Sequence, residues 1–324
     1  MNGEIWPMHE FDFIKWLRQV VTMKNGILLG PGDDTAILSL TASERGEQGL
    51  FTTDMLMEGT HFDLKKMSPE LVGRKALAVN ISDIAAMAGK PVGALISLAL
   101  PKNGGADLGQ KVFQGMFEVA EEFGVSIIGG DTNSWDGPLV ISVALYGETT
   151  EGRAVLRSGA RVGDVIFVTG ELGGSLAGRH YTFQPRVKEA LFLHEKYTLH
   201  AMIDLSDGLI SDLEHILEES SCGAVLERGK IPISHAAQDA ARKSGDPDQD
   251  ASLKRALTDG EDFELCFTLP SDEASRLLKG PKPSSTKLSA IGVITDKPGL
   301  YWREADGSER PVASSWAGYQ HEFV

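Results

Sequence analysis

Segments with the hydrophobic pattern of β-strands alternate with segments that have the helical pattern along almost the whole chain. Such alternation is typical of α/β and α+β proteins, and it argues against a helical bundle or a β-sandwich. Ser68, Pro69 and Glu70 are the residue types of a helix N-cap and first turn, and they predict a long helix that runs toward Met87. The sequence therefore predicts an α/β (α+β) fold.

The other predicted elements fall into two groups on either side of a polar, glycine-containing stretch at 148–163. A chain of 324 residues is long enough for two domains of ordinary size. We therefore expect an N-terminal domain at 1–150 and a C-terminal domain at 151–324. Strands are predicted at 92–100, 125–128, 139–147, 165–169 and 263–269, and helices at 108–123 and 208–217, with a first helix indicated by Phe13, Trp16, Leu17, Val20 and Val21.

The chain is acidic, with 46 acidic and 31 basic residues and a net charge of −15. This charge repels nucleic acids and anionic membrane surfaces. The longest apolar stretch, 92–100, is too short to cross a bilayer, and the first ten residues include Glu4 and Glu10. Cys222 and Cys266 are not in a CxxC pattern. We expect a cytoplasmic protein that binds neither nucleic acid nor membrane, and in which cations accompany any anionic ligand.

The most informative residues are aspartates that follow apolar runs. An aspartate just past a strand lies at the edge of a sheet, and carboxylate and hydroxyl oxygens are the ligands that Mg²⁺ prefers. Two such charges about 4 Å apart repel by roughly 4 kcal/mol at an effective dielectric constant near 20, so a gathered set requires bound cations. The segments are Gly32-Asp33-Asp34, Thr52-Thr53-Asp54, Asn80-Ile81-Ser82-Asp83, Gly129-Gly130-Asp131-Thr132 and Asp204-Leu205-Ser206-Asp207-Gly208.

Each segment taken alone is also typical of a turn or a helix N-cap. The segment 204–208, for example, could simply cap the helix that follows Gly208, and capping is compatible with metal binding. The sequence contains no GxxxxGK[ST] motif, and 30–35 lacks the last glycine of GxGxxG. If a nucleotide binds, metal ions rather than a glycine-rich loop would hold its phosphates.

Taken in order, the segments resemble those of the thiamine-monophosphate kinase family, within the superfamily that includes aminoimidazole ribonucleotide synthetase. The resemblance implies a two-domain aminoimidazole ribonucleotide synthetase-like fold, with mixed sheets flanked by helices and an active site in the interdomain cleft. It also implies a homodimer joined through the N-terminal domains. Besides the aspartate segments, the matching stretches are Glu58-Gly59-Thr60-His61-Phe62, Lys75-Ala76-Leu77-Ala78-Val79, Arg157-Ser158-Gly159-Ala160 and Gly260-Glu261-Asp262-Phe263-Glu264.

The implied activity is ATP-dependent phosphorylation of thiamine monophosphate to thiamine diphosphate, by direct in-line transfer assisted by several Mg²⁺ ions. Asp33, Thr52, Thr53, Asp54, Asp83, Asp131, Asp204 and Asp207 would hold the metal ions, and Asp33, Asp54, Asp83, Asp131 and Asp207 would be catalytic. Gly130, Asp131, Arg157 and Ser206 would bind ATP, whereas His61, Glu261 and either Tyr319 or Phe323 would bind thiamine monophosphate.

Two positions depart from the family's pattern. Asp259 stands where the family usually has glycine, and Gly174 stands where an aspartate is common. His61 is also typical of a loop histidine with one satisfied hydrogen bond, and Glu261 of a solvated acid. Two other functions remain open: another ATP-using synthetase of the superfamily, and a nucleotide- or metal-binding protein without turnover.

Overall fold

The computed structural model describes residues 14, 18–19, 21, 25–40, 46–150, 152–244, 250–283, 286–304, 306–313 and 316. This part of the chain contains two β-sheets. The first consists of β1 (Ile27–Leu29), β2 (Ala36–Ser39), β3 (Gln48–Met57), β4 (Gly89–Pro101), β5 (Ser126–Trp135) and β6 (Val140–Thr149). The second consists of β7 (Val165–Thr169), β8 (Ala201–Asp204), β9 (Gly223–Glu227), β10 (Leu265–Leu269), β11 (Leu288–Thr295), β12 (Gly299–Arg303) and β13 (Glu309–Pro311).

Both sheets are mixed, which confirms the expected fold class. The strand order is β1-β2-β3-β6-β4-β5 in the first sheet and β13-β12-β9-β11-β7-β10-β8 in the second. Neighbouring strands are antiparallel except for β4 with β5 and β9 with β12. The strands of the two sheets lie within 27–149 and 165–311, while a domain boundary between residues 150 and 151 remains a prediction.

The α-helices of the described residues pack on these sheets. Their bounds are α1 (Pro69–Ala86), α2 (Gly105–Phe123), α3 (Val187–Lys196), α4 (Leu209–Ser220), α5 (His235–Ser244), α6 (Ala251–Thr258) and α7 (Ser271–Lys279). Ser68 is the N-cap of α1 and accepts a hydrogen bond from Leu71 N, as its residue type predicts. Among the residues described, no helix is long and apolar enough to cross a membrane.

Two predicted elements differ from the structure or lie outside it. The strand predicted at 125–128 continues to Trp135, because the glycine-rich stretch that resembles a loop pairs with β4 along its length. Pairing with a neighbouring strand thus overrides the local preference of these residues. Of the residues that indicated a first helix, Phe13, Trp16, Leu17 and Val20 lie outside the described part of the chain.

Helix α1 is the central element of the fold. It is apolar on nearly all sides, and most of its residues are buried between the first sheet and β8 of the second. Its outer side meets α2 so closely that a Cβ atom added to Gly115 would lie 1.7 Å from the carbonyl oxygen of Glu70. This contact fixes the helix that carries Lys75, Ser82 and Asp83.

We expect Gly115→Ala to destabilise the protein by about 1–3 kcal/mol, because the added methyl meets backbone that cannot move independently. This cost exceeds the gain in helix propensity, which is about 1 kcal/mol for glycine to alanine. Urea unfolding measures the change. Gly229→Ala is the matched control, since its Cβ would have no neighbour within 4 Å, and an equal loss of stability in both variants would contradict the packing argument.

Candidate active site

A cavity of about 570 Å³ lies between the two sheets, along the side of α1 that carries Lys75, Val79 and Asp83. It is lined by most of the residues that the sequence indicated. These are Asp33, Thr52, Thr53, Asp54, His61, Asp83, Arg157, Asp204, Ser206, Asp207 and Glu261. Gly130 and Asp131 do not line it, and Tyr319 and Phe323 lie outside the described residues.

Three carboxylates converge at one end of this cleft. One oxygen from each of Asp34, Asp83 and Asp204 lies within 4.8 Å of the other two. Thr52 Oγ1 donates to Asp83 at 2.5 Å, and Ser82 Oγ donates to Asp204 at 2.5 Å, so α1 is joined to both sheets here. Asp34 was not among the predicted ligands; the only sequence signal for it is its place beside Asp33.

The pKa values of the acids in and beside this cluster show that gathering negative charge here is unfavourable. Burial raises the pKa of Asp204 to about 8, with the Asp34 charge adding to the effect. Burial likewise raises the pKa of Asp33 to about 7 and that of Asp54 to about 6, and it raises that of Asp83 well above its usual range. Acidic oxygens that retain protons near neutral pH without a counter-ion are ligands that could hold a hard cation.

Arg157 is fixed against the same cluster. Its Nη2 lies 2.7 Å from Asp34 Oδ1, and its backbone N–H donates to Asp33 Oδ2 at 3.2 Å. The neighbouring carbonyl of Leu156 accepts from Met202 N, so this segment runs beside β8. The guanidinium is therefore held at the cleft wall, close to where an anion held by metal ions would lie.

Asp212, which the sequence did not single out, shapes the loop between β8 and α4. Its Oδ2 accepts hydrogen bonds from Asp207 N at 3.1 Å and from Gly208 N at 3.0 Å. Burial, with the nearby charge of Asp207, raises the pKa of Asp212 well above its usual range. The available signal was an acid in the first turn of a helix, where it interacts favourably with unpaired amides.

The opposite end of the cleft is organised by Lys75. Its Nζ lies 2.6 Å from Glu261 Oε2 and donates to the carbonyl of His61 at 3.0 Å, and its side chain is 1% exposed. His61 Nδ1 in turn accepts from Met57 N at 3.0 Å. Lys75 thus joins two segments that the resemblance assigned to substrate. The sequence signal was a lysine followed by the apolar run 76–79 of the helix, since lysine is rarely buried without a partner.

The segment 260–264 divides its acids between the cleft and the interior. Glu261 faces the cleft, whereas Asp262 and Glu264 are buried beneath it. Glu264 accepts from Nε and Nη2 of Arg186, both at 2.6 Å, and Asp262 accepts from Gly173 N at 2.8 Å. The two buried acids therefore build the loop that presents Glu261.

Asp131 lies on the other side of the first sheet. It is exposed on the edge strand β5, in register with Ser97, which is also exposed, while Gly130 is in register with the buried Ile96. We use outer face for the side of the first sheet that carries Ser97 and Asp131. Within a single chain, Ser97 and Asp131 do not line the cleft that contains Asp34, Asp83 and Asp204.

Comparison with known proteins identifies the relationship. The family model described as AIR synthase related protein, N-terminal domain, matches residues 32–149, and the model of the C-terminal domain matches 174–303. A thiamine-monophosphate kinase of Rhodopirellula baltica is 38% identical over 91% of this chain and 92% of its own length. That of Escherichia coli K12 is 35% identical over 96% of this chain and 98% of its own length.

Solved structures agree with these relatives. AaThiL complexed with AMPPCP and TMP is similar to this chain with a TM-score of 0.81 at 30% identity, covering 97% of both chains. The thiamine-monophosphate kinase of Stenotrophomonas maltophilia K279a has a TM-score of 0.70 at 33% identity, covering 92% of this chain and 95% of its own. Escherichia coli HypE, at 17% identity and a TM-score of 0.68, shares the fold. The chain belongs to the AIR synthase related proteins and, among them, to the thiamine-monophosphate kinase family.

Proposed function

We propose that this protein transfers the γ-phosphoryl group of ATP to thiamine monophosphate and produces thiamine diphosphate and ADP. The observation that carries the proposal is a single cleft with two chemically distinct ends. Asp34, Asp83, Asp204 and Arg157 lie at one end, where phosphates would be held, and the pair of Lys75 and Glu261 lies at the other. The named ligands of AaThiL, AMPPCP and TMP, suit those two ends.

The residues at the phosphate end fit Mg²⁺. Buried carboxylate oxygens Asp34 Oδ2 and Asp54 Oδ2 have no hydrogen-bond partner, which is costly unless a cation binds them. Bound Mg²⁺ would neutralise phosphate charge during the transfer. The residues that would hold it are Asp33, Asp34, Thr52, Thr53, Asp54, Asp83, Asp204 and Asp207.

The protein's own side chains position the reactants. The acceptor is a phosphate monoester with a second pKa of about 6, so its oxygen is largely deprotonated at neutral pH and requires no general base. Arg157, fixed by Asp33 and Asp34, would bind phosphate oxygens, and the loop with Ser206 and Asp207 would face the nucleotide. His61 and Glu261 would orient the organic part of thiamine monophosphate.

A homodimer would bring Asp131 to this site. The outer face of the first sheet exposes large apolar side chains, which are Phe51, Met55, Met57, Leu95, Ile128 and Trp135. Strand β2 covers β3 only as far as Phe51, and beyond that point Thr53 and Met55 line the cleft from the outer side. A second subunit packed on this face would place its Asp131 near the rim of the first subunit's cleft.

A second cavity, of about 490 Å³, is lined by Thr132, the residue after Asp131, and suits the nucleoside of ATP. It lies between the ends of β4 and β5 and the first turns of α2. Its walls combine the apolar Leu98, Leu100 and Phe113 with the polar Thr132 and Asn133. With Asp131 at the partner's cleft, ATP would extend from this cavity to the carboxylate cluster.

The reducing cytoplasm remains the predicted location of the protein. The two buried free thiols, Cys222 and Cys266, suit a reducing compartment.

Incubation of the purified protein with Mg·ATP and thiamine monophosphate tests the proposed reaction. We expect ADP and thiamine diphosphate in equal amounts, because direct transfer forms one of each. Chromatography that resolves both products measures them. ADP without thiamine diphosphate would indicate another acceptor within the superfamily, and the absence of both products would indicate a binding protein.

Metal binding and folding should be linked through the carboxylate cluster. In the folded, metal-free protein Asp33, Asp54 and Asp204 retain protons that the unfolded chain has lost above its carboxyl pKa of 3.8. The free energy of unfolding should therefore fall as the pH rises from about 4 to about 8, and added Mg²⁺ should restore more of it at about pH 8 than at about pH 6.

Asp83→Asn separates the effect of pH on the free energy of unfolding from the effect of Mg²⁺ binding. Without Mg²⁺ at about pH 8, its melting temperature should exceed that of the wild type by about 2–4 °C, because asparagine avoids the cost of burying an ionisable carboxyl group among other acids. Mg²⁺ should then raise it less than it raises the wild type. The control is Asp272→Asn, an exposed acid on α7. A metal-free wild type that becomes more stable over this pH range would contradict the argument.

Mixed dimers test whether Asp131 acts in the partner's cleft. Asp131→Asn and Asp204→Asn should each lower turnover at least about tenfold, since an amide does not neutralise a bound cation. Co-expressed in equal amounts, the two variants should recover about a quarter of wild-type activity, because half of the dimers contain one intact cleft. No recovery in dimers verified by light scattering would place Asp131 in its own subunit's site, or outside the site altogether.

A further inference from the structure

The loop that carries Glu261 has an unusual backbone. Gly260, Glu261 and Phe263 have φ angles of 69°, 57° and 49°, all in the left-handed region. For residues with a side chain, this region costs of the order of 1–2 kcal/mol each. A loop that places Glu261 in this conformation must be held by its surroundings.

Glu261 N and Phe263 N donate to the carbonyls of Ser206 and Leu205 on one side of the loop, and two carboxylates on either side of Glu261 add a second hold. Asp262 Oδ2 accepts from Gly173 N at 2.8 Å, and Asp259 Oδ2 accepts from the next amide, Gly174 N, at 3.1 Å. Consecutive amides of one turn are thus bound by acids at both ends of the Glu261 loop. We call this pair of hydrogen bonds the loop clamp.

The turn that donates the two hydrogen bonds of the loop clamp lies very close to neighbouring backbone. Gly173 and Gly174 both have positive φ angles, of 81° and 72°. A Cβ atom would lie 2.6 Å from Ala256 N at Gly173 and 2.5 Å from Ala237 N at Gly174. Side chains are excluded at both positions, and the clamp depends on two bare backbone amides.

Asp259 brings no benefit to its own helix. It follows α6 as the C-cap, where a negative charge is unfavourable to the helix dipole. Arg255, four residues earlier, lies 3.5 Å away and offsets part of this charge. The side chain also lines the active-site cleft beside Glu261. Its position is therefore better explained by the loop than by the helix.

We propose that Asp259 is a positioning residue, which acts through Glu261 to orient the organic part of thiamine monophosphate. Lys75 forms an ion pair with the Glu261 carboxylate. The loop clamp fixes the backbone on both sides of Glu261. The loop clamp therefore restrains Glu261 in addition to the hydrogen bond from Glu261 N to the carbonyl of Ser206 at 2.6 Å. This inference rests on the proposed kinase function.

Steady-state kinetics of Asp259→Ala and Asp259→Asn tests the role. Loss of the acceptor in Asp259→Ala should raise KM for thiamine monophosphate about tenfold, with kcat and KM for ATP within about twofold. Asparagine retains an oxygen that can accept from Gly174 N, so Asp259→Asn should stay within about threefold of wild type. Asp272→Ala, on the surface of α7, is the control and should change none of these values.

The same substitution in a Glu261→Gln background separates an indirect role from direct contact. If Asp259 acts through Glu261, Asp259→Ala should raise KM by less than about twofold there. A full tenfold effect in both backgrounds would overturn the proposal, and so would equal losses in Asp259→Ala and Asp259→Asn. A fall in kcat with KM unchanged would instead assign Asp259 to the phosphate end.

Hydrogen exchange gives a readout that does not depend on turnover. In Asp259→Ala, peptides that cover 172–176 and 259–263 should exchange faster together, while Asp259→Asn should resemble the wild type. If the wild-type protein forms no thiamine diphosphate, the proposed function fails. The hydrogen-exchange measurement still tests whether Asp259 holds the two segments together. Unchanged exchange in Asp259→Ala would overturn that role.

Discussion

The mutual repulsion of buried carboxylates is the constraint on which the arrangement of this protein depends. Asp34 follows β1, Asp83 lies on α1 and Asp204 ends β8, so the three acids come from three different elements and both sheets. They can converge only because α1 is packed between the sheets and is joined to them by Ser82 and Thr52. The fold therefore gathers acids whose ionised form is unfavourable at the place where we propose that a cation binds.

Local patterns predicted much of this architecture. The cap at Ser68, several strands of each sheet and the aspartates that follow strands depend on neighbouring residues, and these were readable from the sequence. The position of Asp131 was not, because it depends on which face of β5 points outward, and a one-residue change of register reverses that face. Lys75 was also missed, since its two partners are distant in sequence.

The two departures from the family pattern illustrate the same limit. In the sequence, Asp259 and Gly174 are 85 residues apart and read as independent changes. In the structure, the carboxylate of the first accepts a hydrogen bond from the amide of the second. A side chain at position 174 would collide with Ala237 N. An acid at this place therefore has to come from the segment that faces Gly174, which carries Asp259. Only the folded chain shows that the two changes share one interaction.

The distribution of charge along the cleft explains how an acidic protein can orient an anionic substrate. Glu261 is paired with the buried Lys75 at 2.6 Å, so the end assigned to the organic group carries little net charge. The other end concentrates acids that attract cations, together with Arg157. With Mg²⁺ bound as proposed, a phosphate monoester would be drawn toward the carboxylate end, while its ring system would meet the Lys75–Glu261 pair. The direction in which thiamine monophosphate would enter the cleft then follows from which carboxylates have a lysine partner and which do not.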